Sequence, residues 1–376
     1  MTPILPSRAS QRATRDMFLV DAVVHAFNWT QDNFAIPEAR GIAETSVDYH
    51  RMLTRDDASR LTRDEFLRNW QAEQVEAALF VESRLDLIAY HGTPIFDFWK
   101  DGHSATSKGL DLRERNPGRV LVYGACNPFD GEAAIRRLEN LVERDRVDGI
   151  KMYAARYADG KTYAQPLDDP EFGYPFIERA GELGVRVIAV HKALPFGPVR
   201  SEPFGVTDIS EPCASFPDMN FEVVHAGYAF LEQTAFLAGM PNVWFNLENT
   251  AALLMCAPRR FAEVIGTLLA SGAGDRIMFA SGCALVHPAP LIKAFLEFEM
   301  PPDLVQGYGF PELTDDIKAD ILGENFLRLH DLTVDAVRER VKGDRWERLR
   351  EDADYPEPWS DLRRMDQQDG SRVRDE

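Results

Sequence analysis

Cysteine is scarce and scattered: Cys126, Cys213, Cys256 and Cys283 form no CxxC pair, which excludes a zinc knuckle or a disulfide-dense scaffold and fits reduced thiols. No apolar run approaches the roughly eighteen residues that a membrane-spanning helix needs. The opening MTPILPSRASQRATRD also lacks the apolar stretch of a secretory signal, so a cytoplasmic protein is expected. Basic residues are in deficit, 42 Lys and Arg against 61 Asp and Glu, for a formal net charge of −19. No basic stripe offers itself to nucleic acid or to an anionic membrane. Internal repeats and low-complexity tracts are missing too. What remains is a 376-residue chain, 45% hydrophobic and 27% charged, enough for one barrel of about 250 residues with insertions and a tail.

Short β-branched runs alternate with longer amphipathic stretches, the pattern of a parallel sheet covered by helices. Eight runs read as strands: residues 18–25, 75–81, 120–123, 149–153, 185–191, 221–225, 243–247 and 276–281. Most are continuous rather than alternating, as strands buried on both faces should be. Helices are expected at 131–143, 171–183, 229–238 and 258–270. The fold class is α/β: a (β/α)8 TIM barrel with lid insertions after strands 1 and 2, at residues 27–60 and 84–109. On pattern alone a doubly wound open sheet satisfies the same alternation. The expected organisation is an N-terminal extension over 1–16, a barrel over 17–331, and a charged, peripheral C-terminal tail over 332–376 with a weak helix around 334–350 and a frayed end.

Three histidines end predicted strands: His25 in DAVVHAF, His191 in VIAVHKA and His225 in FEVVHAG. Imidazole fills a core poorly because both ring nitrogens want partners, and the C-terminal strand ends of a barrel converge on one cavity. Pooled there, the three make a metal site, a proton-transfer site, or both. His287, in a Pro-flanked loop past strand 8, is placed to reach the same cavity. Lys151 lies mid-strand in DGIKMY, where an ammonium is costly unless it faces a polar cavity or an ion-pair partner. Glu248 and Asn246, at the end of strand 7, are further cavity candidates. The lid aromatics Trp29, Phe34, Phe96, Phe98 and Trp99 suit an apolar or aromatic ligand, and ordinary lid packing equally well.

Seven segments in order carry a family resemblance over residues 17–331: VDAVVHAF, DGIKMY, VIAVHKA, FEVVHAG, PNVWFNLE, DRIMFASG and ILGENFLRLH. Together they resemble the amidohydrolase superfamily, in the amidohydrolase-related (amidohydrolase 2) branch of aminocarboxymuconate-semialdehyde decarboxylase-like proteins. The resemblance implies a hydrolase or decarboxylase acting on a small carbonyl- or carboxylate-bearing substrate. It implies a divalent metal, zinc first, at His25 and His191, with His225 as the matching strand-6 histidine. From their own placement His225, Glu248, His287 and Lys151 are expected as catalytic groups, and Asn246 and Trp29 against the substrate.

Two departures stand out. Val23 occupies the first histidine position of the family's Asp-x-His-x-His opening, whose aspartate is Asp21, and Gly282 occupies the place of the strand-8 aspartate. Three readings follow: a metal enzyme with an atypical site, a metal-free version of the same chemistry, or a degenerate barrel assisting another enzyme such as a multicomponent oxygenase. The expected partners are a small-molecule substrate, a second copy of the chain and, in the third reading, a protein.

Overall fold

The computed structural model describes residues 17–352 and 358–372. Eight parallel strands form one sheet in chain order: β1 Val20–Val24, β2 Leu87–His91, β3 Val120–Ala125, β4 Gly149–Tyr153, β5 Val187–His191, β6 Asn220–Val224, β7 Val243–Asn246 and β8 Ile277–Met278. Sequential order with parallel pairing leaves β1 and β8 as the edges, and these meet. Ala22 N donates to Phe279 O at 3.0 Å and Gly282 N to Val23 O at 3.1 Å, closing the sheet into a barrel. The open-sheet alternative is thereby set aside. Among the described residues no helix is long and apolar enough to cross a membrane, and all four cysteines are free.

Strand alternation sorts the side chains into two layers. Val187, Ala189, Val224, Trp244, Met278, Leu87, Ala89 and Tyr123 point inward and fill the barrel, sealed from below by Phe326, Leu327 and Leu329. Ile150, Ile188, Val190, Phe221 and Val223 point outward under the helices. The inward register carries Lys151 and Glu222 at mid-strand and His91, His191 and Tyr153 at the strand ends. His25, His225 and Glu248 follow just beyond the ends of β1, β6 and β7.

One predicted strand is wrong. Residues 75–81 are helical, in Ala72–Ala77 continuing through Ala78–Glu82, and the second strand is Leu87–His91. The run VEAALFV is apolar without a diagnostic period, and its Glu, Ala and Leu are strong helix formers. Its N-terminus is fixed locally, with the Gln74 side chain accepting from Gln71 N at 2.9 Å. The first insertion therefore extends from His25 to Asp86, and the second lid begins only after His91.

The two lids are knitted together. Asn28 N donates to His103 O at 2.8 Å, Lys100 N to Asn33 O at 2.8 Å, and the Asn28 and Asn33 side-chain amides both donate to Asp101. Above β1, Trp29 packs with Phe27, Phe66, Trp99 and His103 in one aromatic cluster.

The described part of the tail forms helices Val334–Val341, Arg345–Asp352 and Ser360–Arg372. It buries Trp346 and Trp359 against the insertion helices, Trp359 with no exposed surface. Glu82 gathers this region, accepting from Trp359 N at 2.8 Å and Ser360 N at 2.9 Å and meeting His287 Nε2 at 2.7 Å. The expected extension over 1–16 and the last residues of the expected frayed end lie outside the described residues.

Candidate active site at the barrel mouth

His25, His191, His225, Glu248 and Lys151 come together at the C-terminal strand ends, all buried. Glu248 is the hub. Its Oε1 lies 3.1 Å from His25 Nε2, its Oε2 3.7 Å from His225 Nε2, and its backbone N donates to Asn246 Oδ1 at 3.0 Å. His25 Nδ1 faces the His91 carbonyl at 2.8 Å, and since a carbonyl only accepts, that nitrogen carries hydrogen. One proton is then left between His25 Nε2 and Glu248 Oε1. Burial works against the Glu248 carboxylate, but the His25 hydrogen bond and the Lys151 charge outweigh it and hold the group well below the usual range.

Burial pushes His225 down to about 4, and burial with the nearby His225 and Lys151 takes His191 well below its ordinary value. Both rings are therefore neutral near pH 7. His225 Nδ1 faces the Glu248 carbonyl at 3.1 Å and the Asn249 side-chain amide at 3.3 Å, His225 Nε2 meets His191 Nδ1 at 3.1 Å, and His191 Nε2 faces the Leu194 carbonyl at 2.6 Å.

Lys151 is only 1% exposed, and its Nζ has no hydrogen-bond partner. Burial brings it down to about 8, opposed by the charges of Glu248 and Glu222. The Tyr153 hydroxyl and both ring nitrogens of His91 are likewise buried without partners. Unpartnered buried polar atoms of this kind are rare in folded proteins. Below them, Glu222 accepts from Asn246 Nδ2 at 3.0 Å and from the Tyr123 hydroxyl, which also meets His330 Nε2 at 2.7 Å.

Three expected residues fall elsewhere or do other work. His287 does not join this cluster: it binds Glu82, accepts from Ala289 N at the start of helix Pro288–Glu297, and stands edge-on to Trp359. Asn246 lies beneath Glu248 and Glu222 and holds both in place. Trp29 is one ring removed from the histidines, reaching His25 through Phe27, whose centroid is 4.8 Å from the imidazole. His91, Glu222, Tyr123 and Tyr153 are additions. His91 repeats the signature of the three recognised histidines, an apolar run ending in His, and Glu222 repeats that of Lys151, a charge within a buried strand.

Residues 88–332, most of the chain, match the amidohydrolase family. The chain belongs to the amidohydrolase family. Several solved structures share its fold. An uncharacterized TIM-barrel protein from Bordetella bronchiseptica matches at 14% identity and TM-score 0.58, over 83% of this chain and 98% of its own. A 5-carboxyvanillate decarboxylase from Novosphingobium aromaticivorans, complexed with manganese and 4-hydroxy-3-methoxy-5-nitrobenzoic acid, matches at 15% and 0.53 over 84% and 96%. An amidohydrolase from Burkholderia multivorans with bound zinc matches at 13% and 0.54 over 84% and 100%. No curated protein matches the chain.

The metal carried by such amidohydrolases does not fit the donors present here. Both ring nitrogens of His25, His191 and His225 are engaged by Glu248, by one another or by carbonyls. Among the described residues no three His, Cys, Asp or Glu side chains gather with metal-holding geometry. His25 and His191, expected as zinc ligands, are linked only through Glu248 and His225. Val23, at the absent histidine's position, is fully buried. Gly282 has φ +70°, and a Cβ there would stand 3.1 Å from Glu248 Oε1. Glu248 thus brings a carboxylate from β7 to the space an aspartate after β8 would enter in this amidohydrolase.

Asp21, the retained acid of the opening motif, closes the barrel seam. Its carboxylate accepts from Ser281 N at 2.9 Å, Val23 N at 3.2 Å and the Ser281 hydroxyl. Burial pushes it up to about 7 despite those bonds. The folded chain therefore binds the Asp21 proton more tightly than the unfolded chain, so Asp21's contribution to stability falls as pH rises from about 4 to about 7. In paired urea denaturations, the unfolding free energy of Asp21→Asn relative to wild type should improve across that interval. A pH-independent difference would count against the buried, proton-holding state of Asp21.

Proposed function

We propose that this chain is a hydrolase or carbon–carbon lyase of a small carbonyl- or carboxylate-bearing molecule, run by acid–base chemistry at Glu248, His25, His225 and His191. The observation that carries the reading is the ring of buried, unpartnered polar groups, Lys151 Nζ, Tyr153 Oη and the His91 nitrogens, around the ionised Glu248. Lys151 meets the oxygen-bearing group of the substrate. The proton between His25 and Glu248 passes to the substrate atom on which negative charge develops, and the unpartnered Tyr153 hydroxyl donates a hydrogen bond to a developing oxyanion. Asn246 fixes the height of Glu248, and the joined lids exclude water. No step passes through a metal, because the donors are committed elsewhere. In this reading residues 17–331 are the working barrel and the described helices of the 332–376 tail its outer clamp.

The test is turnover of a panel of small oxo acids, aromatic carboxylates and amides by the purified protein. For any substrate found, Glu248→Gln should lower kcat by about 10²- to 10⁴-fold, the range for general acid–base groups. Unchanged turnover in that variant would remove this reading. The two departures at Val23 and Gly282 favour, as the second reading, an accessory barrel; failure of the whole panel together with co-purification of an oxygenase component would establish it.

A further inference from the structure

Among the described residues three lysines have buried side chains: Lys151, Lys192 and Lys318. Two are fully accounted for. Lys192 Nζ donates to Asp208 at 2.8 Å and to Pro203 O at 3.0 Å, and Lys318 Nζ donates to Leu296 O at 2.7 Å. Lys151 is the exception, with a nitrogen that has no partner in the barrel interior. A Lys151 held purely to balance charge would lie in hydrogen-bond contact with Glu248 or Glu222, as Lys192 does with Asp208. Both carboxylates influence it electrostatically, yet Nζ bonds to neither; Glu248 Oε1 is engaged by His25 and the Glu222 oxygens by Asn246 and Tyr123. Desolvation without a hydrogen-bonded counterion favours the free amine, and a buried free amine is a carbonyl nucleophile rather than an anion clamp.

We propose that Lys151 forms an imine with the ketone carbon of a small 3-oxo acid and that the chain cleaves the adjacent carboxylate by this covalent route. The inference rests on the acid–base reading above and narrows its substrate class. The Nζ lone pair makes the C–N bond while the carbonyl π pair moves to oxygen, which takes the proton held between His25 and Glu248. After one Nζ proton returns to that pair, the hydroxyl is protonated again and leaves as water, giving the protonated imine. The carbon–carbon pair then shifts toward nitrogen, carbon dioxide departs, and the enamine is protonated at carbon. Hydrolysis releases the ketone and restores Lys151. In sum, a 3-oxo carboxylate and one proton yield a ketone and carbon dioxide, with no oxidant or reductant required. Tyr153 Oη and His91 are the unpartnered groups able to hold the departing water and carboxylate.

The test uses the full chain with acetoacetate as probe, followed by borohydride, which reduces an imine to a stable amine, and by peptide mass mapping. The expected result is a borohydride-dependent adduct on the peptide carrying Lys151, lost in Lys151→Arg, which keeps the charge but cannot form the imine. No adduct at Lys151, or equal labelling of Lys192, would overturn the proposal. Calorimetry of acetoacetate binding separates the two levels. Saturable binding without an adduct overturns the imine and leaves the acid–base reading in place, whereas neither binding nor adduct removes both.

Discussion

Glu248→Ala is expected to cost about 3–5 kcal/mol of folding free energy, the range for removing one partner of a buried ionic cluster. The carboxylate is the common acceptor of the mouth: His25 lies 3.1 Å away, His225 3.7 Å, and the Lys151 charge is within reach. Alanine deletes the negative charge and strands His25 Nε2 and Lys151 in a medium where neither is solvated. The loss should be mutually dependent with Lys151, so that Glu248→Ala with Lys151→Met costs less than the two single losses added. Such non-additivity is typical of groups in one network. Urea denaturation at pH 7 of the four proteins in the cycle measures this directly. Strict additivity would mean that Glu248 and Lys151 do not share a field.

The second large effect lies far from the chemistry. Trp359→Ala should destabilise the protein by about 3–5 kcal/mol, the range for deleting a large buried aromatic. This residue belongs to the charged tail, yet it is wholly enclosed. Its ring packs on Trp70 at 5.5 Å and edge-on to His287, and its Nε1 donates to Ser59 O at 2.8 Å. Removal opens a cavity between the tail, the first insertion and the helix after β8, and weakens the hold of Glu82 on the tail backbone. Thermal or urea unfolding of the variant gives the number. A loss near the ±0.5 kcal/mol of ordinary surface substitutions would mean that the tail does not dock as described.

The barrel was legible because its strands are dense in β-branched residues and its helices are amphipathic, signals that need no partner to be read. The error at residues 75–81 arose where a short apolar run carries no period, and it hid His91, which would otherwise have joined His25, His191 and His225 by the same rule. Lys151 was visible as a charge in a buried strand; Glu222 in FEVVH has the same signature. His287 was misassigned because its partner, Glu82, lies 205 residues away, a pairing set by how the tail packs. The zinc expectation at His25 and His191 depended on ring nitrogens being available. Their capture by Glu248, His225 and two carbonyls is a property of loop paths after β2, β5 and β7, which composition and spacing do not encode.

The stitching of the two lids has a kinetic meaning. Asn28, Asn33, Lys100, Asp101 and His103 tie the loop after β1 to the loop after β2, so neither can swing away while the other stays. Under the proposed function, a substrate could enter the mouth only by parting the whole seam, and the expected pace of turnover is then that of the loops rather than of the proton transfers.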